Sequence, residues 1–208
     1  MNQPTTLNLM PYKRLFIRQI RELAELFGFE TRNKYQIKDE NQTVVAFAAE
    51  ESRGFFGFFM RQFLGHWRKF NIHFMDASNQ LVMTAHHPFR WYFERLEIKD
   101  ATGRHIGAIE KRFSILTKRF DIHNERGMTI LEVASPIWKI WTFNFMHQGR
   151  QIASVQKKWS GFFSEVLTDR DNFMVEFNDP TLSQNERMLV MAASMYIDIV
   201  YFERKGNQ

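Results

Sequence analysis

The pattern of hydrophobic and polar positions changes period along this chain. From Tyr12 to Phe27 the apolar residues Phe16, Ile20, Leu23 and Phe27 recur at helical spacing, with Arg14, Arg18 and Arg21 on another face. That predicts a short N-terminal amphipathic helix over 12–27, closed by Gly28 and preceded by a flexible polar tail over 1–11. Beyond Gly28 the period falls to two. One phrase then recurs: an aromatic or Leu, any residue, an aliphatic or Phe, a polar turn, and a second apolar stretch. It stands at Tyr35-Gln36-Ile37, Phe70-Asn71-Ile72, Leu96-Glu97-Ile98, Phe120-Asp121-Ile122, Phe143-Asn144-Phe145 and, truncated, Phe173-Met174-Val175. The turns carry the expected residues, at Asp39-Glu40-Asn41, Asp76 to Asn79, Asp100 to Gly103, Asn124 to Gly127 and Gln148-Gly149.

Each phrase reads as one β-hairpin, which gives about 12 strands in all. Closing such a sheet into an antiparallel barrel removes its exposed edges. A barrel of about 12 strands is too wide for its own side chains to fill, so something must occupy the middle. The segment Met188 to Phe202, apolar nearly all round with Ser194 and Asp198 as its polar breaks, is the candidate. At about 1.5 Å per residue it spans roughly 22 Å, short of the ~30 Å hydrocarbon core of a bilayer. Asp198 would also be costly in lipid. The fold class is therefore mostly β, a barrel wrapped around a buried hydrophobic C-terminal helix at about 185–203, in one domain over 12–204.

Composition sharpens this picture. Of 208 residues, 44% are hydrophobic and 25% charged, enough for a core in a water-exposed domain. Twenty-two Phe and five Trp suit strands and core positions. There is no cysteine, which excludes disulfides, thiolate metal sites, a cysteine nucleophile and S-acylation. The net charge of +5 tilts the chain toward anionic partners, a membrane surface or nucleic acid. Met1 to Asn8 is polar and Leu9 to Phe29 is interrupted by charge, so no signal peptide is read there.

GFETRNKYQIKD (28–39), AAEE (48–51), KKWSGFFSEVLTDRDNFMVEF (157–177) and MYIDIVYFE (195–203) resemble, in order and spacing, the phospholipid scramblase family. The resemblance runs from about Leu15 to Glu203. It implies the tubby-like fold, a closed 12-stranded antiparallel barrel around a hydrophobic C-terminal helix. It also implies movement of phospholipids between bilayer leaflets, with calcium as a candidate cofactor.

The family's proposed calcium loop aligns with Asp169 to Pro180, and Asp169 and Asp171 match its first two acids. The fifth and sixth positions are Phe173 and Met174, where a loop site wants an oxygen ligand and Gly. Pro180 stands where the family has an acid. Two readings follow: a turn entering a strand with Phe173, Val175 and Phe177 inward, or a surface calcium site on Asp169 and Asp171. For membrane contact the candidates are Phe55, Phe56, Phe58, Phe59 and Trp67 in the longest connection, and Trp91, Tyr92 and Phe93 in another. The second of these stands where many animal scramblases carry a cysteine cluster for lipid attachment. The competing readings are a loop folded back on the barrel or an oligomer interface.

Anionic headgroups could be held by Lys111, Arg112, Lys118 and Arg119, flanking one hairpin connection, and by Lys157 and Lys158. Such pairs also serve simply as a solvated face. The seven histidines show no zinc-site spacing with a companion acid, and there is no Gly-rich phosphate loop or nucleophile elbow. No hydrolase or transferase is read here. The leading function is a scramblase-like protein with peripheral membrane association, cytoplasmic and on the inner face of the plasma membrane. The alternatives are a non-enzymatic lipid-sensing adaptor and, third and not expected, a nucleic-acid-binding protein. Homo-oligomerisation is a further candidate partnership.

Overall fold

The computed structural model describes residues 7–20, 31–51, 70–88, 95–114, 117–136, 142–156 and 172–202. Twelve strands lie among them: β1 (Arg14–Ile20), β2 (Thr31–Lys38), β3 (Val44–Glu51), β4 (Phe70–Asp76), β5 (Leu81–His87) and β6 (Arg95–Asp100), followed by β7 (His105–Arg112), β8 (Thr117–Asn124), β9 (Thr129–Pro136), β10 (Thr142–His147), β11 (Arg150–Gln156) and β12 (Asn172–Phe177). Each pairs antiparallel with its neighbours in sequence, and β1 closes the ring on β12. All six copies of the phrase lie on even-numbered strands, where alternation turns their apolar residues inward. On β4, Phe70, Ile72 and Phe74 are buried, while Asn71 and His73 are half-buried.

Four of the turns share one device. Asp39, Asp76, Asp100 and Asn124 each accept, on Oδ1, the amide protons of the residues two and four positions on, at 2.8–3.1 Å. A short acceptor side chain satisfies amides that the reversing chain strips of ladder partners, so Asp or Asn opens each turn.

The N-terminal helix expected over 12–27 is corrected by β1. Arg14 to Ile20 is a strand whose Leu15 and Ile17 face the core, and 21–27 fall outside the described residues. A strand here hydrogen-bonds β2 on one side and β12 on the other, whereas a helix would leave two sheet edges open. Arg14 pairs with Glu176 at 3.2 Å instead of lining a helix face. Residues 7–11 also depart from a loose tail, because Leu7 and Leu9 are buried against the domain. Residues 1–6 lie outside the described residues.

The filling is helix α1 (Gln184–Ile197), continued by a π-helical turn over Asp198–Phe202. Ser183 caps it: its Oγ accepts the Glu186 amide at 3.3 Å while Glu186 Oε2 accepts the Ser183 amide at 2.7 Å. Every residue from Arg187 to Ile197 is buried. The polar breaks are satisfied, Ser194 Oγ donating to the Met191 carbonyl at 2.6 Å and Asp198 Oδ2 accepting from the Tyr35 hydroxyl at 2.8 Å. The helix lies close against the wall at Gly107. A Cβ there would stand 2.4 Å from the His123 carbonyl oxygen and 2.8 Å from a Leu189 methyl. Among the described residues no helix is long and apolar enough to cross a membrane.

At the helix N-terminus Arg187, itself buried, donates to the carbonyls of Leu182 at 3.2 Å, Leu9 at 3.2 Å and Tyr12 at 2.6 Å. Its guanidinium lies 4.7 Å from the centre of the Phe177 ring. Burial lowers its pKa from the ordinary arginine value. Gln184 Oε1 accepts the Leu9 amide at 2.9 Å, so the segment before β1 is tied to the N-terminus of α1.

Candidate functional site: a basic rim around the end of the helix

Because every neighbouring pair of strands is antiparallel, the barrel has two unlike rims. One holds the four Asp- or Asn-led turns and the helix N-terminus. The other gathers the ends of β1, β3, β5, β7, β9 and β11 with the beginnings of their successors, around the helix C-terminus. The expected membrane-contact residues Phe55, Phe56, Phe58, Phe59, Trp67, Trp91, Tyr92 and Phe93 lie outside the described residues, as do Lys157, Lys158, Asp169 and Asp171. The strand ends that bracket them, Glu51 with Phe70, His87 with Arg95, and Gln156 with Asn172, all stand on this second rim.

The basic quartet of β7 and β8 is described, and register brings it together. Arg112 stands opposite Arg119, and Lys111 opposite Phe120. Their roles differ. Arg112 is bound to Asp121, whose carboxylate is 1% exposed, while its own side chain is 57% exposed. That hydrogen bond and its charge hold the Arg112 guanidinium above the ordinary arginine range. Lys118 lies over two rings, 5.3 Å from the centre of Phe143 and 5.1 Å from that of Tyr201, capping the end of the filled lumen. Arg119 is half exposed and reaches Glu132 only at 3.9 Å. Beside Arg112, Phe113 stands 93% exposed, the most exposed large apolar residue among those described. Its signal in the sequence is KRFSILTKR (111–119), a short apolar stretch between two basic pairs, fainter than the longer aromatic runs at 55–59 and 91–93.

Below this rim the lumen carries a polar layer that alternation alone does not announce. Glu50 shares the inward face with Ala48 and Ala46, and is 1% exposed. Its Oε2 accepts from Asn33 Nδ2 at 2.7 Å, and Asn33 Oδ1 accepts from Gln19 Nε2 at 3.0 Å. Tyr35 and Asp198 join the wall to the helix beside it. His87 stacks on Phe70 with ring centres 4.7 Å apart.

The described part of segment 169–180 bears on calcium. Asn172–Phe177 is β12, and Phe173, Val175 and Phe177 are core side chains, as the strand reading expects. Asp179 Oδ1 is engaged by the Thr181 amide at 2.9 Å and hydroxyl at 2.7 Å. A twelve-residue cation loop over this segment lacks its fifth-position oxygen, since Phe173 stands there as a buried side chain of β12. Among the described residues no group of three or more His, Asp or Glu is arranged to hold a metal ion.

The scramblase family model matches residues 1–204. The chain belongs to the scramblase family. Among scramblase relatives, mouse phospholipid scramblase 1 is 29% identical over 204 residues, covering 91% of this chain and 61% of the relative. Human phospholipid scramblase 1 is 28% identical, covering 93% of this chain and 64% of the relative. Human phospholipid scramblase family member 5 is 28% identical, with 89% and 72% covered. The chain thus spans about six-tenths of the length of the first two relatives. An X-ray structure of an Arabidopsis thaliana protein aligns over 99% of this chain and 100% of its own at 10% identity, with a TM-score of 0.47, a likeness too slight to bear on function.

Proposed function

We propose that this scramblase-family chain works at an anionic membrane surface as a phospholipid scramblase-like protein, moving phospholipids in both directions between leaflets. The match of the family model to residues 1–204 carries this reading, and the basic rim at β7 and β8 supports it chemically. Headgroup phosphates are recognised by fixed guanidinium and ammonium groups, and Arg112 and Arg119 stand side by side with half their surface open. The working location in this reading is the cytoplasmic face of the plasma membrane.

The filled lumen limits the mechanism. A headgroup crossing hydrocarbon needs a polar path, and the axis of this barrel is occupied by α1 from Arg187 to Ile197. In this reading exchange proceeds by disturbing the bilayer beside the rim, between associated copies, or after the C-terminal helix leaves the barrel. Calcium stimulation is a finer part of the proposal and rests on the sequence alone, through Asp169 and Asp171. A second reading draws on the same filled lumen: a lipid-sensing adaptor that binds anionic headgroups and moves nothing. Reconstitution into vesicles with a leaflet-exchange readout, with and without calcium, separates them. Faster exchange than in protein-free vesicles supports the scramblase reading; binding without exchange supports the adaptor.

A further inference from the structure

Four large apolar side chains are exposed among the described residues: Met10 at 44%, Leu81 at 38%, Met128 at 53% and Phe113 at 93%. The first three stand near the rim of tight turns, and Phe113 on the other. The rim of tight turns carries both signs, Asp100 being paired with Arg104 at 2.9 Å and Asp179 with Arg150 at 3.3 Å. The turns are led by Asp39, Asp76 and Asp100, and Asp179 stands beside the helix N-terminus. Each of these carboxylates is committed to turn amides. Phe113 follows Lys111 and Arg112, and across the hairpin stand Lys118 and Arg119.

An exposed ring next to basic residues has the composition of an interfacial anchor. The aromatic body enters the headgroup boundary while the guanidinium groups stay with the phosphates. The arginines remain half exposed although paired, so each retains donors for a phosphate. We propose that the barrel meets an anionic bilayer with the rim at the helix C-terminus facing it, Phe113 entering the interface beside Arg112 and Arg119. This rests on the membrane reading above and adds to it an orientation and an inserted residue. The barrel axis then points at the membrane, and the acid-led turns face away.

The absence of native cysteine permits a direct test. Single-cysteine variants Phe113→Cys and Glu125→Cys, the latter in an exposed turn of the far rim, are labelled with an environment-sensitive dye. They are mixed with phosphatidylcholine vesicles with and without phosphatidylserine. With phosphatidylserine, the dye at 113 should shift to the blue and be quenched by nitroxides on the acyl chains, while the dye at 125 stays in water. The unlabelled Phe113→Ser variant should float about tenfold less well with an unchanged urea midpoint, since no packing is lost. If the unlabelled chain floats but the dye at 113 remains in water, or the dye at 125 enters instead, the orientation is overturned and the membrane reading survives. If the unlabelled chain floats with neither vesicle, both fall.

Discussion

The Tyr35 hydroxyl donates to Asp198 Oδ2 at 2.8 Å, joining the wall strand β2 to the end of the central helix inside the barrel. Both residues are buried, so neither group exchanges this bond freely for water. Tyr35→Phe should cost about 1–3 kcal/mol, the range for removing one partner of a buried hydrogen bond. Urea unfolding should show a lower midpoint with unchanged slope.

Gly107 makes a second expectation sharp. Gly107→Ala places a methyl against the His123 carbonyl oxygen at 2.4 Å, and against Leu189 at 2.8 Å. Overpacking of this kind costs about 1–3 kcal/mol. Adding Leu189→Ala should not rescue it, because the tighter contact is backbone. A double variant more stable than Gly107→Ala alone would show that the side chain sets the limit.

Arg187 holds three carbonyls from its buried position, two of them from the segment before β1. Arg187→Met should lower stability by about 2–3 kcal/mol and open the chain near Leu9 to protease. Arg187→Lys should recover little of this, since one ammonium cannot reproduce a planar fork reaching three acceptors.

Arg112 and Arg119 should separate stability from binding. Removing Arg112 strands the buried carboxylate of Asp121, so Arg112→Gln should lower the unfolding midpoint, and Asp121→Asn should restore part of it. Arg119→Gln should leave the midpoint within about 0.5 kcal/mol while weakening flotation with phosphatidylserine vesicles. Equal loss of stability in both would contradict the different roles drawn for them.

Acid should destabilise the fold through the turns. For Asp100, burial pushes the pKa up, but hydrogen bonds from Thr102 and Arg104 outweigh it and the net value lies below the usual 3.8. For Asp179, hydrogen bonds from the Thr181 hydroxyl and amide lower it. A carboxyl with a depressed folded pKa takes up protons on unfolding, so its contribution is complete above the unfolded value and lost as pH falls through the folded one. Stability should therefore fall below about pH 4, and Asp179→Asn should flatten that fall in denaturation curves taken across it.

The hairpins are legible in the sequence because two local signals agree there: alternation of period two, and an Asp or Asn that pins four of the turns. The central helix is legible for a similar reason, since Met188 to Phe202 has no polar face to offer water. β1 is not. Phe16 and Ile20 fit a helix as well as Leu15 and Ile17 fit a strand, and seven residues are too few to separate the periods. What decides is non-local, the two open edges of β2 and β12. In the site, the basic pairs stand plainly in the sequence. Asp121 reads only as the polar middle of a repeated phrase until register sets it beside Arg112. Phe113 is a single ring, outweighed in any sequence reading by longer aromatic runs elsewhere.

The order of the chain sets a schedule for its synthesis. The filling of the barrel is the last described segment to leave the ribosome, and β1 must wait for β12 before its second edge is covered. Until then the wall is a hollow sheet with its apolar face uncovered, the state in which unpaired edges invite aggregation. A chain stopped before Gln184 should accumulate in that state and be held by chaperones, however many of its hairpins have already formed.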